Sequence, residues 1–313
     1  MGRLPMPPVM TASLRALLTN VIDYAGLFPP AALDLETSYR NFRAYLACPD
    51  RWMLGRFICP IDKLAALTEL LRAAPPPAPV ELSVLARPVD DVADAIGAGM
   101  VPVLQAEPNA KLSAVEMPVA PPETIPQTMA TTQVAQVLPG TEVFFEIGWT
   151  GDDWRRRWSQ AATLVKQVES QVGGVGLKLR TGGVTAEAFP PTEVIAGVIA
   201  ICRDARVSLK FTAGLHHPIR AHHPSVGTKM HGFINVLAGG VLAHVHGMDE
   251  HGVRLILETE SPEDFGFDDY QLRWRTLRAS VQRIEQVRRT GLISFGSCSF
   301  DEPRDDLRAL GWA

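Results

Sequence analysis

Cysteine is scarce in this 313-residue chain: Cys48, Cys59, Cys202 and Cys298 are its four thiols, and no two stand in a CxxC spacing. Disulfide scaffolds and cysteine-rich zinc modules are thereby excluded, and the usage suits a reducing cytoplasm. Long apolar runs are missing too. None reaches the roughly 18 unbroken residues that a spanning helix needs. Met1–Thr11 lacks a basic region followed by an apolar core, so the chain is expected to be soluble and cytoplasmic, with no membrane partner. A basic field is also lacking. The net charge is −4, with no lysine and arginine ladder interleaved with aromatics, which argues against a nucleic-acid partner. No complete GxGxxG or P-loop is present, leaving a nucleotide cofactor without support. The 25 glycines and 25 prolines sit at element boundaries and form no disordered tract, in a chain long enough for one sizeable core.

What is present is an alternation of short apolar runs with helical spacing. Ser13–Asn20 reads as a short helix; Phe28-Pro29-Pro30 then stops regular structure, and Asp34 caps a helix carrying Leu35, Tyr39, Phe42 and Leu46. Asp23 and Tyr24, just before that turn, read either as a cap and a packed ring or as part of an active-site lid or floor. Strands are expected at Trp52–Cys59, Val80–Ala86, Ala114–Val119, Glu142–Ile147, Val175–Leu179, Val207–Thr212 and Ile293–Ser299, with Val101–Leu104 and Val253–Leu257 as further candidates. Helical spacing fills Ile61–Ala73, Val89–Gly97, Pro122–Leu138, Trp154–Val172, Pro191–Arg203, the run after His231, Leu277–Arg289 and Pro303–Leu310. A helix is expected from Ser225, and a small hairpin around Asp268-Asp269. Strands regularly separated by helices imply a parallel α/β sheet. The expected fold is a (β/α)8 barrel over 51–313, with a helical extension over 1–50 and an insertion at 247–275, before the last β/α unit.

Chemistry concentrates between Gly173 and Arg220. Alternation puts Lys178 on one face with Gly176 and Arg180, and Lys210 on one face with Ser208 and Thr212. Strands covered on both faces rarely hold lysine, so both ammonium groups are expected to point into the barrel mouth, each lowering the other's pKa. A partly deprotonated lysine is the nucleophile that forms an imine with a carbonyl. Glu146, on the face of Phe144 and Gly148, is either an ion-pair partner of Lys178 or Arg180 or a general acid/base.

The stretches Lys178-Leu179-Arg180-Thr181-Gly182 and Lys210-Phe211-Thr212-Ala213-Gly214 resemble the two lysine motifs of class I, Schiff-base-forming aldolases of the deoxyribose-phosphate aldolase type. The resemblance covers about 45 residues and matches in order and in the helix-length gap. Arg180 stands where that family has a small hydroxyl residue, and Leu215 replaces its second glycine. The resemblance implies Lys178 as the imine-forming lysine, Lys210 as its electrostatic partner and Glu146 as the counterpart of the family's catalytic aspartate.

Seven of the eight histidines fall between His216 and His246. His216 is the proton-carrier candidate. Arg180, Thr181, Thr212, His217, Arg220, Gly296, Ser297 and Ser299 are the candidates for holding an anionic substrate, the last three because small residues ending a barrel strand leave room and backbone N–H groups for an anion. Cys298 reads as a buried, inert thiol more than as a nucleophile, since no base is identifiable beside it. The expected function is a lyase acting on a small anionic carbonyl compound through a lysine imine, which needs no cofactor. Three other readings stay open: a lyase or hydrolase using a divalent metal on a set such as His217, His222 and His246; a non-enzymatic protein clamping an anionic ligand with Lys178, Arg180 and Lys210; and an enzyme whose lysines bind substrate without a covalent bond. Association into a homo-oligomer is compatible with each.

Overall fold

A computed structural model describes residues 10–86, 104, 107–119, 121–132, 140–172 and 174–313. Eight parallel strands close into a barrel. In chain order they are β1 (Ile22–Tyr24), β2 (Leu54–Pro60), β3 (Val80–Leu85), β4 (Ala110–Pro118), β5 (Glu142–Glu146), β6 (Val175–Arg180), β7 (Ser208–Thr212) and β13 (Leu292–Ser297). Two small antiparallel sheets lie between β7 and β13: the pair β8 (Ala221–His223) and β9 (Thr228–Met230), and the triplet β10 (Phe265–Phe267), β11 (Gln271–Trp274) and β12 (Leu277–Ser280). The helices are α1 (Ala12–Leu18), α2 (Leu35–Ala47), α3 (Leu64–Ala73), α4 (Ile125–Thr132), α5 (Trp154–Val172), α6 (Thr192–Ala205), α7 (Phe233–His246), α8 (Glu250–Leu257), α9 (Val281–Thr290) and α10 (Asp301–Ala309).

Alternation explains which side chains fill the barrel and which hold the helices. Leu177 and Leu179 on β6, with Leu209 and Phe211 on β7, are fully buried outward against the helical layer. Each such side chain contributes about 1.5–3 kcal/mol by leaving water. The alternate residues Lys178 and Lys210 point inward at the same level, because they pair directly in the β6–β7 register. α6 offers Val194, Ile195, Val198, Ile199 and Cys202 at helical spacing, all buried. α7 runs unbroken through Gly239-Gly240, where a Cβ on Gly240 would meet the Leu292 side chain at 2.4 Å. Glycine is there to let the helix lie against β13.

Four expectations are corrected. The first 50 residues are not only a helical extension: they supply β1, which closes the barrel between β13 and β2. Val253–Leu257 is helical, because Asp249 caps α8 through the Gly252 N–H at 2.8 Å and Val253, Ile256 and Leu257 share its buried side. Ser225 lies in the turn of the β8–β9 hairpin and starts no helix. The hairpin around Asp268-Asp269 is present but gains a third strand, β12, so α9 starts at Val281 and not at Leu277. Val89–Gly97 and residues 101–103 lie outside the described residues, as does 133–138 of the helix expected after Pro122. Among the described residues no helix is long and apolar enough to cross a membrane.

Candidate active site

Charged side chains from β1, β2, β4, β5, β6 and β7 meet in a chain of alternating charges. Lys178 Nζ lies 2.6 Å from Glu116 Oε2 and 2.8 Å from Glu146 Oε2. Lys210 Nζ lies 2.6 Å from Asp23 Oδ2 and also contacts Glu116 Oε1. Glu116 thus bridges both lysines, one oxygen to each. Ser83 donates to Glu116 Oε1 at 2.5 Å and Ser294 to Asp23 Oδ2 at 2.7 Å, while the Arg56 N–H donates to Asp23 Oδ1 at 2.7 Å. Below them Arg56 contacts Glu142; above, Arg180 Nε donates to Glu146 Oε1 at 3.3 Å. The two lysines and Glu116 are buried almost completely, at 3%, 0% and 0% exposure.

Such burial is tolerable only because the charges are paired, with Ser83, Ser294 and the Arg56 N–H adding hydrogen bonds to Glu116 Oε1 and to both oxygens of Asp23. Burial alone would push Lys178 down, but the Glu116 and Glu146 carboxylates outweigh it and hold the ammonium above its ordinary value. Burial would raise Glu116, but Lys178 and Lys210 together hold it well below the usual carboxylate range. Glu146 is likewise held low: Lys178 and Arg180 overcome the burial that would raise it. The expectation that the lysines depress each other's pKa is therefore corrected for Lys178. The carboxylates interleaved between the lysines decide its charge, and it rests protonated.

Above this network lies a cavity of about 260 Å³ at the C-terminal end of the strands. Lys178, Glu116, Arg180, Thr212, His216 and Gly296 line it, whereas Lys210 lies beneath and does not. The Phe28-Pro29-Pro30 turn, joined by a cis peptide between the prolines, forms part of its rim. The loops after β6 and β7 touch at their glycines: a Cβ on Gly182 would lie 2.7 Å from Gly214 Cα and 2.6 Å from the Phe189 ring. Gly214 moreover adopts a φ of +75°, which favours glycine.

The expected site residues divide clearly. Lys178, Lys210 and Glu146 come together, and Arg180, Thr212, His216 and Gly296 border the cavity. Thr181 does not border it; its hydroxyl donates to the Ala213 carbonyl at 2.6 Å and ties the two lysine loops together. The Ser297 hydroxyl donates to the Ser299 carbonyl at 2.8 Å, and Ser299 Oγ accepts from the Glu302 N–H at 3.1 Å, so both are committed to the turn entering α10. Arg220 pairs with Glu260 at 2.9 Å, away from the mouth. Cys298 lines the cavity, but burial raises its thiol above the ordinary value, away from the reactive thiolate.

The histidines scatter in role. His216 Nδ1 is 2.8 Å from Glu302 Oε2, and His217 Nδ1 is 2.6 Å from Asp306 Oδ2, with the His217 ring stacked on His223 at 3.9 Å. His246 hydrogen-bonds the Arg278 carbonyl at the end of α7, and His222 is exposed on β8. The set His217, His222 and His246 is not assembled, and among the described residues no group of three or more His, Cys, Asp or Glu side chains is placed to hold a metal ion. His231, buried and donating to the Pro190 carbonyl at 2.8 Å, is pushed down to about 4 chiefly by burial.

The sequence reading holds no role for Glu116, Arg56, Glu142, Ser83 or Ser294, nor for Asp23 as the partner of Lys210. Glu116 offered a signal, an acid inside the apolar run Ser113–Val119, of the same kind that marked Lys178. No protein-family model, curated protein or solved structure matches this chain.

Proposed function

We propose that this barrel is a lyase of the aldolase type, acting on a small anionic carbonyl compound through an imine on Lys178. The observation that supports this reading is that Lys178 lines the mouth cavity while its ammonium touches two carboxylates able to take its proton. The lysine rests protonated, so the sequence starts with a transfer from Lys178 to Glu146. The neutral amine then attacks the carbonyl carbon, and the carbinolamine oxygen leaves as water, giving a protonated imine. That cation draws the electron pair of the breaking carbon–carbon bond and becomes an enamine. Lys210 stays below, held by Glu116 and Asp23 outside the cavity. Arg180, half exposed and bound to Glu146 only through Nε, keeps its terminal nitrogens for the substrate's anionic group.

Borohydride trapping with a panel of small aldehydes, ketones and 2-oxo acids tests the reading, by intact mass and peptide mapping. A reduced adduct on Lys178, absent from folded Lys178→Ala, is the expected result. No adduct with any panel member counts against it. The raised pKa of Lys178 favours a second reading, in which the ammonium polarises a bound carbonyl without forming a bond and Glu146 removes a neighbouring proton. Turnover of a panel member with no trapped adduct would select that reading.

A further inference from the structure

The mouth cavity does not end above Lys178. A second cavity of about 370 Å³ continues from it, and the two share Pro30, Gly183, Val184, His216 and Cys298. Beyond these shared walls the annex is bounded by Ala31, Val226 and Met230, with Ser225 and Glu302 as its polar edge. No lysine or arginine lines it among the described residues. A phosphate or carboxylate seated there would lose water without gaining a cation, next to the Glu302 carboxylate. An uncharged apolar group fits.

His216 stands at the junction, lining both cavities, and is 8% exposed. Its Nδ1 is taken by Glu302, at 2.8 Å. That bond orients the ring and leaves Nε2 as the nitrogen free to serve the cavities. A histidine backed by a carboxylate in this way is equipped to accept a proton from a hydroxyl group.

We infer that the substrate is a 4-hydroxy-2-oxo acid with an apolar, uncharged substituent on C4, and that His216 is the base for its C4 hydroxyl. This inference rests on the imine reading of Lys178. The C1 carboxylate lies toward Arg180, C2 is bonded to Lys178, and the C4 substituent occupies the annex. His216 Nε2 takes the hydroxyl proton as the C3–C4 bond breaks. The electron pair of that bond forms the C2–C3 double bond of the enamine and neutralises the imine nitrogen. An aldehyde carrying the C4 substituent departs. The imidazolium returns its proton to C3, and water, equal to that lost when the imine formed, then releases pyruvate and restores the amine. Glu302 is a positioning residue, which holds the ring.

Two measurements keep this inference separable from the reading beneath it. Pyruvate needs only the mouth cavity, so borohydride trapping of pyruvate on Lys178 reports the imine with this product; its absence overturns the inference, and the imine reading falls with it only where no panel member is trapped. Cleavage of 4-hydroxy-2-oxo acids ending in a methyl, an isobutyl or a phosphorylated hydroxymethyl group then reads the annex. The isobutyl compound is expected to exceed the phosphorylated one in kcat/KM by about 10–200-fold. Val226→Trp, which fills the annex from the β8–β9 turn, is expected to collapse the isobutyl-to-methyl ratio toward one. His216→Gln is expected to lower kcat for cleavage by about a hundredfold, far more than it slows formation of the pyruvate adduct, which also reports that the variant is folded. Glu302→Gln should shift the pH profile of kcat and leave KM nearly unmoved. Pyruvate trapped on Lys178 together with a phosphorylated substrate preferred, or with cleavage undiminished in His216→Gln, overturns the inference and leaves the imine reading standing.

Discussion

Glu116 Oε2 stands 2.6 Å from Lys178 Nζ, while the other oxygen of the same carboxylate is occupied by Lys210. One side chain on β4 therefore neutralises cations on β6 and β7 that would otherwise repel each other at the same level of the barrel. Glu116→Gln keeps the shape and removes the charge. It should destabilise the fold by about 3–5 kcal/mol, the usual cost of leaving a buried charge uncompensated. Urea unfolding at pH 7 checks this, and a loss below about 1 kcal/mol would mean that the lysines do not depend on Glu116.

The same network sets a pH dependence with a definite sign. Glu116 and Glu146 are held below the ordinary 4.5 in the folded chain, so the unfolded chain binds more protons in acid. Their contribution is full above that ordinary value and is lost as the pH falls through it toward their folded values. Lys178 is raised above 10.5, so its contribution is full below 10.5 and is lost as the pH climbs through the folded value. Unfolding midpoints measured across this range should fall at both ends. Glu116→Gln should flatten the acid limb, and an unchanged acid limb in that variant would count against the assignment.

Arg180 should matter for affinity more than for the chemical step. Arg180→Ala removes charge-assisted bonds worth about 1.5–3 kcal/mol to a bound carboxylate, so the pyruvate concentration for half-maximal trapping should rise roughly 10–100-fold. Arg180→Lys should recover only part of this, since the ammonium lacks the planar fork. An unaltered half-saturation in Arg180→Ala would remove the arginine from the site.

Gly182→Ala should act through packing. Its Cβ would lie 2.6 Å from the Phe189 ring and 2.7 Å from Gly214 Cα, forcing apart the loops after β6 and β7 that carry Gly183, Val184 and Ala213 of the cavity wall. The expected cost is about 1–3 kcal/mol. Gly148→Ala provides the comparison, because nothing lies within 4 Å of its added Cβ; it should change stability by less than about 0.5 kcal/mol. Thermal melts of the two variants side by side decide the point.

How far these features can be read in the sequence depends on their range. The β6–α6–β7 unit is legible because its strands alternate, its helix repeats at helical spacing, and each lysine interrupts an apolar run. From alternation alone Lys178 and Lys210 point inward. β1 is not legible in the same way. Three residues, Ile22–Tyr24, show no periodicity, and they are a strand only because β13 and β2 pair with them from either side. Val253–Leu257 is apolar enough for either element, and the Asp249 cap decides for a helix.

The sequence by itself determined the parallel α/β architecture, the inward lysines, and Glu146 and Arg180 beside them, all from local alternation and spacing. Only the tertiary structure decided what charge Lys178 carries. Glu116 comes to Lys210 from 94 residues away, and Asp23 from β1, near the other end of the chain, with only β13 between them in the barrel. A pKa is set by every charge within a few ångströms, whatever the separation along the chain. Two neighbouring lysines read alone repel; with three carboxylates folded between and around them they become links in a tightly bonded chain of charges, in which Lys178 is held protonated.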